Sequence, residues 1–227
     1  MNSGLTMLLA GAAALALGYV AMTRSLSARE ITAVASLGAL SAAGRVAFAP
    51  IPGVQPSTVI VIISGWVLGP AAGFTVGATT ALVSNVFLGQ GPWTVWQMLS
   101  WAAIGWTAGL LGKLPAKRPD RGVLVFSVVS GLLFGWAMDL WFWVSFVYPH
   151  TLGTLLASAA ASLPFDVMHA AGNAAFAALF AARGLQLLER FRRRSHVEYV
   201  PEAAADALWA ARDAAQPATD ASGAAHG

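Results

Sequence analysis

Seven polar side chains lie in stretches of sequence that are otherwise almost wholly apolar: Arg45, Asn85, Gln97, Asp139, Asp166, His169 and Asn173. Inside a hydrocarbon-like span such groups are costly unless they face a protein interior, so each is a candidate for function. Their spacing sharpens this. Ser162, Asp166, His169 and Asn173 recur at i, i+4, i+7 and i+11, which places them on one helix face. Trp93, Trp96, Gln97, Ser100 and Trp101 form a second stripe by the same rule. One stripe offers charge and hydrogen bonds, the other flat apolar surface, a combination suited to a medium-sized heterocyclic ligand. Pro164 falls inside the last span, where it removes an N–H and leaves a carbonyl unpaired close to Asp166.

Structural readings stand beside these. Arg45 with Asp139 or Asp166 reads equally well as a buried ion pair. Trp93, Trp141 and Trp143 have the character of interfacial belt residues. Asn85 and Gln97 could hydrogen-bond neighbouring helices, and His169 could be a satisfied core histidine. Catalysis finds less footing. Asp166 and His169 at i, i+3 can share a metal, but no third ligand stands nearby at suitable spacing and no HExxH occurs. Ser64-Gly65 and Ser130-Gly131 lack the upstream glycine of a GxSG motif, although His169 could serve either serine as a base. No resident metal or cofactor is expected, and no P-loop occurs.

The elements that must position these groups are membrane spans. Of the 227 residues 57% are hydrophobic and 10% charged, cysteine is absent, and the mean hydropathy is +0.67. A water-soluble domain would aggregate with that surface. Apolar blocks fall near residues 4–22, 30–49, 54–69, 70–88, 92–113, 122–148 and 155–185, close to the ~20 residues needed to cross a bilayer. The third is short, and only Gly69-Pro70 separates it from the fourth, so the two read as a tight helical hairpin. The pI near 9.8 is a topology signal and not a nucleic-acid one, because the cations lie between and after the blocks.

With the N-terminus outside and the C-terminus in the cytoplasm, every Lys and Arg except Arg45 falls on the cytoplasmic side. That sorting requires an odd number of spans, so the third is expected to cross. Residues 1–22 have no basic n-region and carry Arg24 and Arg29 on their far side, as a retained helix would, against the reading of a cleaved signal peptide. In this orientation Arg45, Asn85, Gln97, Asp139 and Asp166 share the outer half, as in a pocket open to the outside. Residues 195–227 read as a disordered tail with one helical stretch near 202–213. The expected fold is all-α: a polytopic transmembrane bundle of six core helices plus one N-terminal helix, divided as 1–28 (extra helix and basic linker), 29–190 (core) and 191–227 (basic stop and tail).

Two passages carry family character. One runs from Gly44 and Arg45 through Pro50-Ile-Pro-Gly-Val-Gln-Pro56 to Ser64-Gly-Trp-Val-Leu-Gly-Pro70. The other is Ser84-Asn-Val-Phe-Leu-Gly-Gln-Gly-Pro-Trp-Thr-Val-Trp-Gln-Met98. Over roughly residues 29–190 the chain resembles the substrate-binding S component of an energy-coupling factor (ECF) transporter.

The resemblance implies a non-enzymatic subunit of a bacterial plasma-membrane importer that captures a vitamin on the outer side. It further implies association with a transmembrane coupling subunit and two ATPases, and tipping in the bilayer to release the cargo; no nucleic acid is involved. A cobalamin-like compound is the leading substrate among the vitamins, because the chain resembles members assigned to cobalamin or its precursors and its four Trp between 93 and 106 suit a large flat ligand. The residues expected to bind are Arg45, Gln55, Asn85, Gln90, Trp93, Trp96, Gln97, Asp139, Asp166 and His169. Arg45 would meet an acidic ligand group or Asp139. Ala35, Ala39 and Ala43, on one face of the first core helix, are the expected docking surface, because helices approach closely in lipid through small side chains. The alternative is a secondary transporter driven by protons, with Asp166 and His169 as its relay.

Overall fold

The computed structural model describes residues 3–24 and 26–195, and the expected tail helix near 202–213 lies outside them. Among the described residues there are seven α-helices and no strand: α1 (Ser3–Thr23), α2 (Ala28–Ala47), α3 (Ser57–Leu68), α4 (Pro70–Leu88), α5 (Trp93–Leu111), α6 (Pro119–Phe146) and α7 (Leu152–Ser195). Local chemistry sets the boundaries. Ser27 and Glu30 form a reciprocal capping box at the start of α2. Pro70 and Pro119 occupy the first turns of α4 and α6, where a missing N–H costs nothing. Gly69, at φ +97°, is the single residue between α3 and α4, and Gly89, at φ +104°, ends α4.

Three helices, α4, α6 and α7, are long and apolar enough to cross a membrane. The others carry the features that dilute this signal. α2 includes Arg29, Glu30 and Arg45, and α5 includes four tryptophans. α3 has 12 residues, about 18 Å of helix against a hydrocarbon core of about 30 Å, so it does not cover that depth by itself. Large apolar side chains such as Leu40, Phe87, Trp136 and Phe180 face outward, as expected of a surface bathed in lipid. At the other extreme α7 has 44 residues, about 66 Å, and stays helical through Ser195, past the boundary expected at residue 190.

The α3–α4 hairpin is the centre of the bundle, with α2 and α5 against both of its helices. The tightest junction joins Gly65 of α3, Gly73 of α4 and Gly105 of α5. A Cβ on Gly65 or Gly73 would run into the Gly105 carbonyl, and one on Gly105 into the Gly73 carbonyl, so only glycine lets these backbones touch. α6 and α7 meet in a similar way, Gly131 against Ala170 and Gly135 against Asp166. α1 leans on α4 and α5, with Leu15 buried beside Ala78 and Ala102. Ala35, Ala39 and Ala43 are exposed on α2.

The connection between α2 and α3 goes inward instead of looping over the end. Ser41 and Ser57 exchange side-chain-to-carbonyl hydrogen bonds of 3.3 and 2.9 Å, so α3 begins a full turn below Arg45. Gly53, at φ +73°, sits against the backbone of Phe165 and His169, and Val54 against Gly172. Non-helical backbone is tolerated at this depth because it is packed on protein.

At the opposite end Trp66 lies against Gly112 and Gly122, and Arg192 donates to the Val67 carbonyl at 3.1 Å. Lys113, Lys117, Arg118 and Arg121, in the stretch between Gly112 and Gly122, therefore belong to the same end of the bundle as Arg192 of α7.

Candidate functional site

Arg45 projects from the last turn of α2 onto α4. Its Nη1 donates to Ser84 Oγ at 2.7 Å and Asn85 Oδ1 at 2.5 Å, while its guanidinium carbon stands 5.0 Å from the centre of the Trp101 ring. Asn85, almost fully enclosed, passes the contact on: its amide nitrogen donates to Thr94 Oγ1 at 2.9 Å and Gln97 Oε1 at 2.8 Å. With its oxygen facing Arg45 and its nitrogen facing α5, its orientation is determined by its partners. Gln90 closes the α4–α5 turn, accepting from Thr94 at 2.9 Å and donating to the Leu82 carbonyl at 3.0 Å.

Trp101 links this network to α3 and α7. Its ring nitrogen donates to Thr58 Oγ1 at 3.1 Å, and the same hydroxyl lies 3.1 Å from His169 Nε2. Phe134 of α6 packs between the two rings, 4.5 Å from Trp101 and 5.2 Å from His169. Thr58 and Trp101 are fully buried and His169 is 5% exposed, so this is a sealed polar contact inside an aromatic layer.

The carboxylates form a separate group. Ser162 Oγ bonds Asp139 and lies 3.4 Å from Asp166 Oδ2, bridging α6 and α7 where Gly135 leaves room for the Asp166 carboxyl. Arg45 therefore does not pair with Asp139 or Asp166: its turn of α2 faces α4, whereas the acids lie in the α6–α7 seam. Among the described residues Arg45 has no carboxylate partner, and neither acid has a cation.

Between α5 and α6 a cavity of about 200 Å³ is lined by Ser100, Ile104, Thr107, Ser130, Phe134 and neighbouring apolar groups. Ser130 Oγ is buried without a partner, and so is Trp96 Nε1, which lies on the Ser100–Thr107 face of α5. Unpaired buried polar atoms in an apolar surround are costly and mark where a ligand or water would be welcome. Farther down the α6–α7 seam, Asn173 Nδ2 donates to the Ser127 carbonyl at 3.0 Å while its Oδ1 and the Ser127 hydroxyl are unpartnered.

The expected residues thus divide. Arg45, Asn85, Gln90 and Gln97 join in one network, His169 belongs to the aromatic layer beside it, and Asp139 and Asp166 share Ser162. Trp93 is more than one-third exposed at the end of α5 and packs on Gly91. Gln55 lies in the inward connection, and no side-chain hydrogen bond ties it to another described residue. Thr58, Ser84 and Thr94 were missed by sequence reasoning. They carry no charge, and most helical hydroxyls simply bond their own preceding turn, as Ser64, Thr75 and Thr80 do here.

Ser64 therefore donates to the Ile60 carbonyl, at 2.6 Å, and His169 engages Thr58; neither candidate serine is activated by that histidine. No three metal-ligating side chains cluster among the described residues.

Neither a curated protein nor a solved structure matches the chain. The family model for the substrate-specific component of ECF transporters matches residues 29–186, from the first turn of α2 to residue 186 within α7, and takes in nearly all of the polar groups just described. On a match of well over half its length, the chain belongs to the family of ECF transporter substrate-specific components.

Proposed function

We propose that the protein captures a vitamin at the outer face of a bacterial plasma membrane and hands it to an ATP-driven coupling module made of one transmembrane subunit and two ATPases. The observation that supports this reading is the placement of the polar groups at one end of the bundle. Polar side chains from α2, α4 and α5 join around Arg45, those of α6 and α7 join around Ser162, and both sets lie in the half of the bundle opposite the cluster of Lys and Arg. By the positive-inside rule the basic end is cytoplasmic, which puts Arg45, Gln97 and Asp139 toward the outside, with the N-terminus outside and the C-terminus inside.

The binding surface comprises Arg45, Gln55, Asn85, Gln90, Trp93, Trp96, Gln97, Asp139, Asp166 and His169. The cavity beside Phe134 and the orphaned Trp96 nitrogen support a ligand approach between α5 and α6. A cobalamin-like compound is the leading substrate, on the resemblance and on the tryptophan-rich α5. The exposed face of Ala35, Ala39 and Ala43 is the coupling surface. A proton relay through Asp166 and His169 has less support, because His169 Nε2 engages Thr58 and Asp166 engages Ser162.

Mass spectrometry of small molecules that co-purify with the protein tests the reading. A retained vitamin, and its loss from Gln97→Ala protein that keeps the wild-type far-UV spectrum, is the expected result. ATP-independent uptake that follows a proton gradient would replace this reading with the secondary transporter.

A further inference from the structure

The polar end of the bundle has an unusual charge arrangement. A cation and two carboxylates share one end of a membrane protein, yet they do not neutralise each other. Arg45 uses only Nη1 on the protein, and both acceptors, Ser84 and Asn85, are neutral. Among the described residues its Nε and Nη2 make no hydrogen bond, and neither atom is sealed from the surface. One edge of the guanidinium is anchored while the other is open.

The anchoring is thorough. Asn85 is held by Thr94 and Gln97, and Thr94 by Gln90, so the acceptor that fixes Arg45 is itself fixed by three side chains. The ring of Trp101 backs the guanidinium and is pinned by Thr58. An arginine that merely reached toward water would need none of this support. The arrangement is a preorganised fork: the planar group is held in place before a ligand arrives, and its free N–H pair matches the two oxygens of a carboxylate or phosphate.

Resting on the capture reading above, we infer that the substrate carries an acidic group, a carboxylate or a phosphate ester, and that this group docks on the open edge of Arg45. Partial burial strengthens the pairing, since a charge-assisted hydrogen bond gains in a medium less polar than water. Both ends of the Asn85 amide are occupied by the protein and, among the described residues, Gln97 keeps only its Nε2 free, so the strong discrimination at this point falls to charge. Asp139 and Asp166 are bridged by Ser162 in the α6–α7 seam and make no contact with Arg45, so they do not compete for its open edge.

The test uses full-length protein in lipid nanodiscs and pairs of compounds that differ in an acidic group: nicotinate and nicotinamide, biotin and biotinamide, flavin mononucleotide and riboflavin, and the monocarboxylic acid of cyanocobalamin and cyanocobalamin. Affinity is read by isothermal titration for wild type, Arg45→Gln and Arg45→Lys. In the pair that binds, the acidic member is expected to be about 10- to 100-fold tighter in wild type. The ratio should fall to near 1 in Arg45→Gln and take an intermediate value in Arg45→Lys, which keeps the charge without the fork.

A neutral member that binds as tightly as its acidic partner overturns the inference while leaving capture intact. So does a ratio unchanged in Arg45→Lys, the variant that retains a cation should Arg45→Gln not fold. A panel in which no compound binds counts against the capture reading itself, and the inference goes with it.

Discussion

Replacing Thr58 by valine keeps the volume of a fully buried side chain and deletes one hydroxyl. That hydroxyl is the partner of both Trp101 Nε1 and His169 Nε2, each 3.1 Å away. The substitution therefore orphans two polar atoms on two other helices. Interhelical hydrogen bonds in a membrane protein average about 0.6 kcal/mol, with a maximum of about 1.7, so two bonds span about 1 to 3 kcal/mol. Burial favours the upper part of that range: Thr58 and Trp101 have no exposure and His169 very little, so no water replaces the lost partner. Thr58→Val should lose about 2–3 kcal/mol.

Thr58→Ser is the control. It retains the hydroxyl and removes a methyl group, with an expected cost of about 1 kcal/mol. The assay is reversible unfolding in mixed micelles, followed by far-UV circular dichroism against the mole fraction of SDS. Thr58→Val should be less stable than Thr58→Ser by at least about 1 kcal/mol, and its loss should shrink in a Trp101→Phe background, which no longer has an indole N–H to satisfy. Equal stabilities for Thr58→Val and Thr58→Ser would refute the reasoning, and with it the claim that this hydroxyl joins α3, α5 and α7.

Gly105→Ala places a methyl against the Gly73 carbonyl, which has no rotamer with which to yield; the expected outcome is a loss of about 3 kcal/mol or more on the same unfolding scale, with Gly153→Ala as a neutral control. Ala39→Leu adds bulk to an exposed position on α2, so the purified protein should retain ligand affinity while co-purification with the coupling subunit falls at least about tenfold.

Much of the fold could be read directly from apolar block lengths. The seven expected spans coincide with the seven helices to within a few residues at most ends, because the bilayer demands a length that no loop supplies. The short third segment was visible in the sequence, but its cause was not. Pro50 to Pro56 reads as an external turn, and only the fit of Gly53 and Val54 against α7 shows the chain running inward.

The site was legible as a list of residues and less so as a set of partners. Depth along a span locates Arg45, Asp139 and Asp166 alike, but it is silent on direction. Gly38, Ser41 and Ala42 define the buried side of α2, and that side commits Arg45 to Ser84 and Asn85 in place of an acid. The tryptophans of α5 make the same point: Trp101 is fully enclosed and Trp106 is 41% exposed, although five residues separate them. Their shared composition suggested one stacking surface; the helical rotation between them puts them on different sides.

The glycine contacts divide the molecule mechanically. α3, α4 and α5 touch through main-chain atoms, and a carbonyl cannot swing aside as a side chain can, so these three helices behave as a single plate. α6 and α7, in contact at Gly131 and Gly135, form a second plate. What joins the two is largely side chain: the Trp101–Phe134 stack, the Thr58 hydroxyl, Trp66 against Gly122 and Arg192 on the Val67 carbonyl, with Gly53 and Val54 of the connecting strap lying against α7. A side chain that yields costs less to displace than a main-chain carbonyl, so the seam between the two plates is the more deformable part of the bundle.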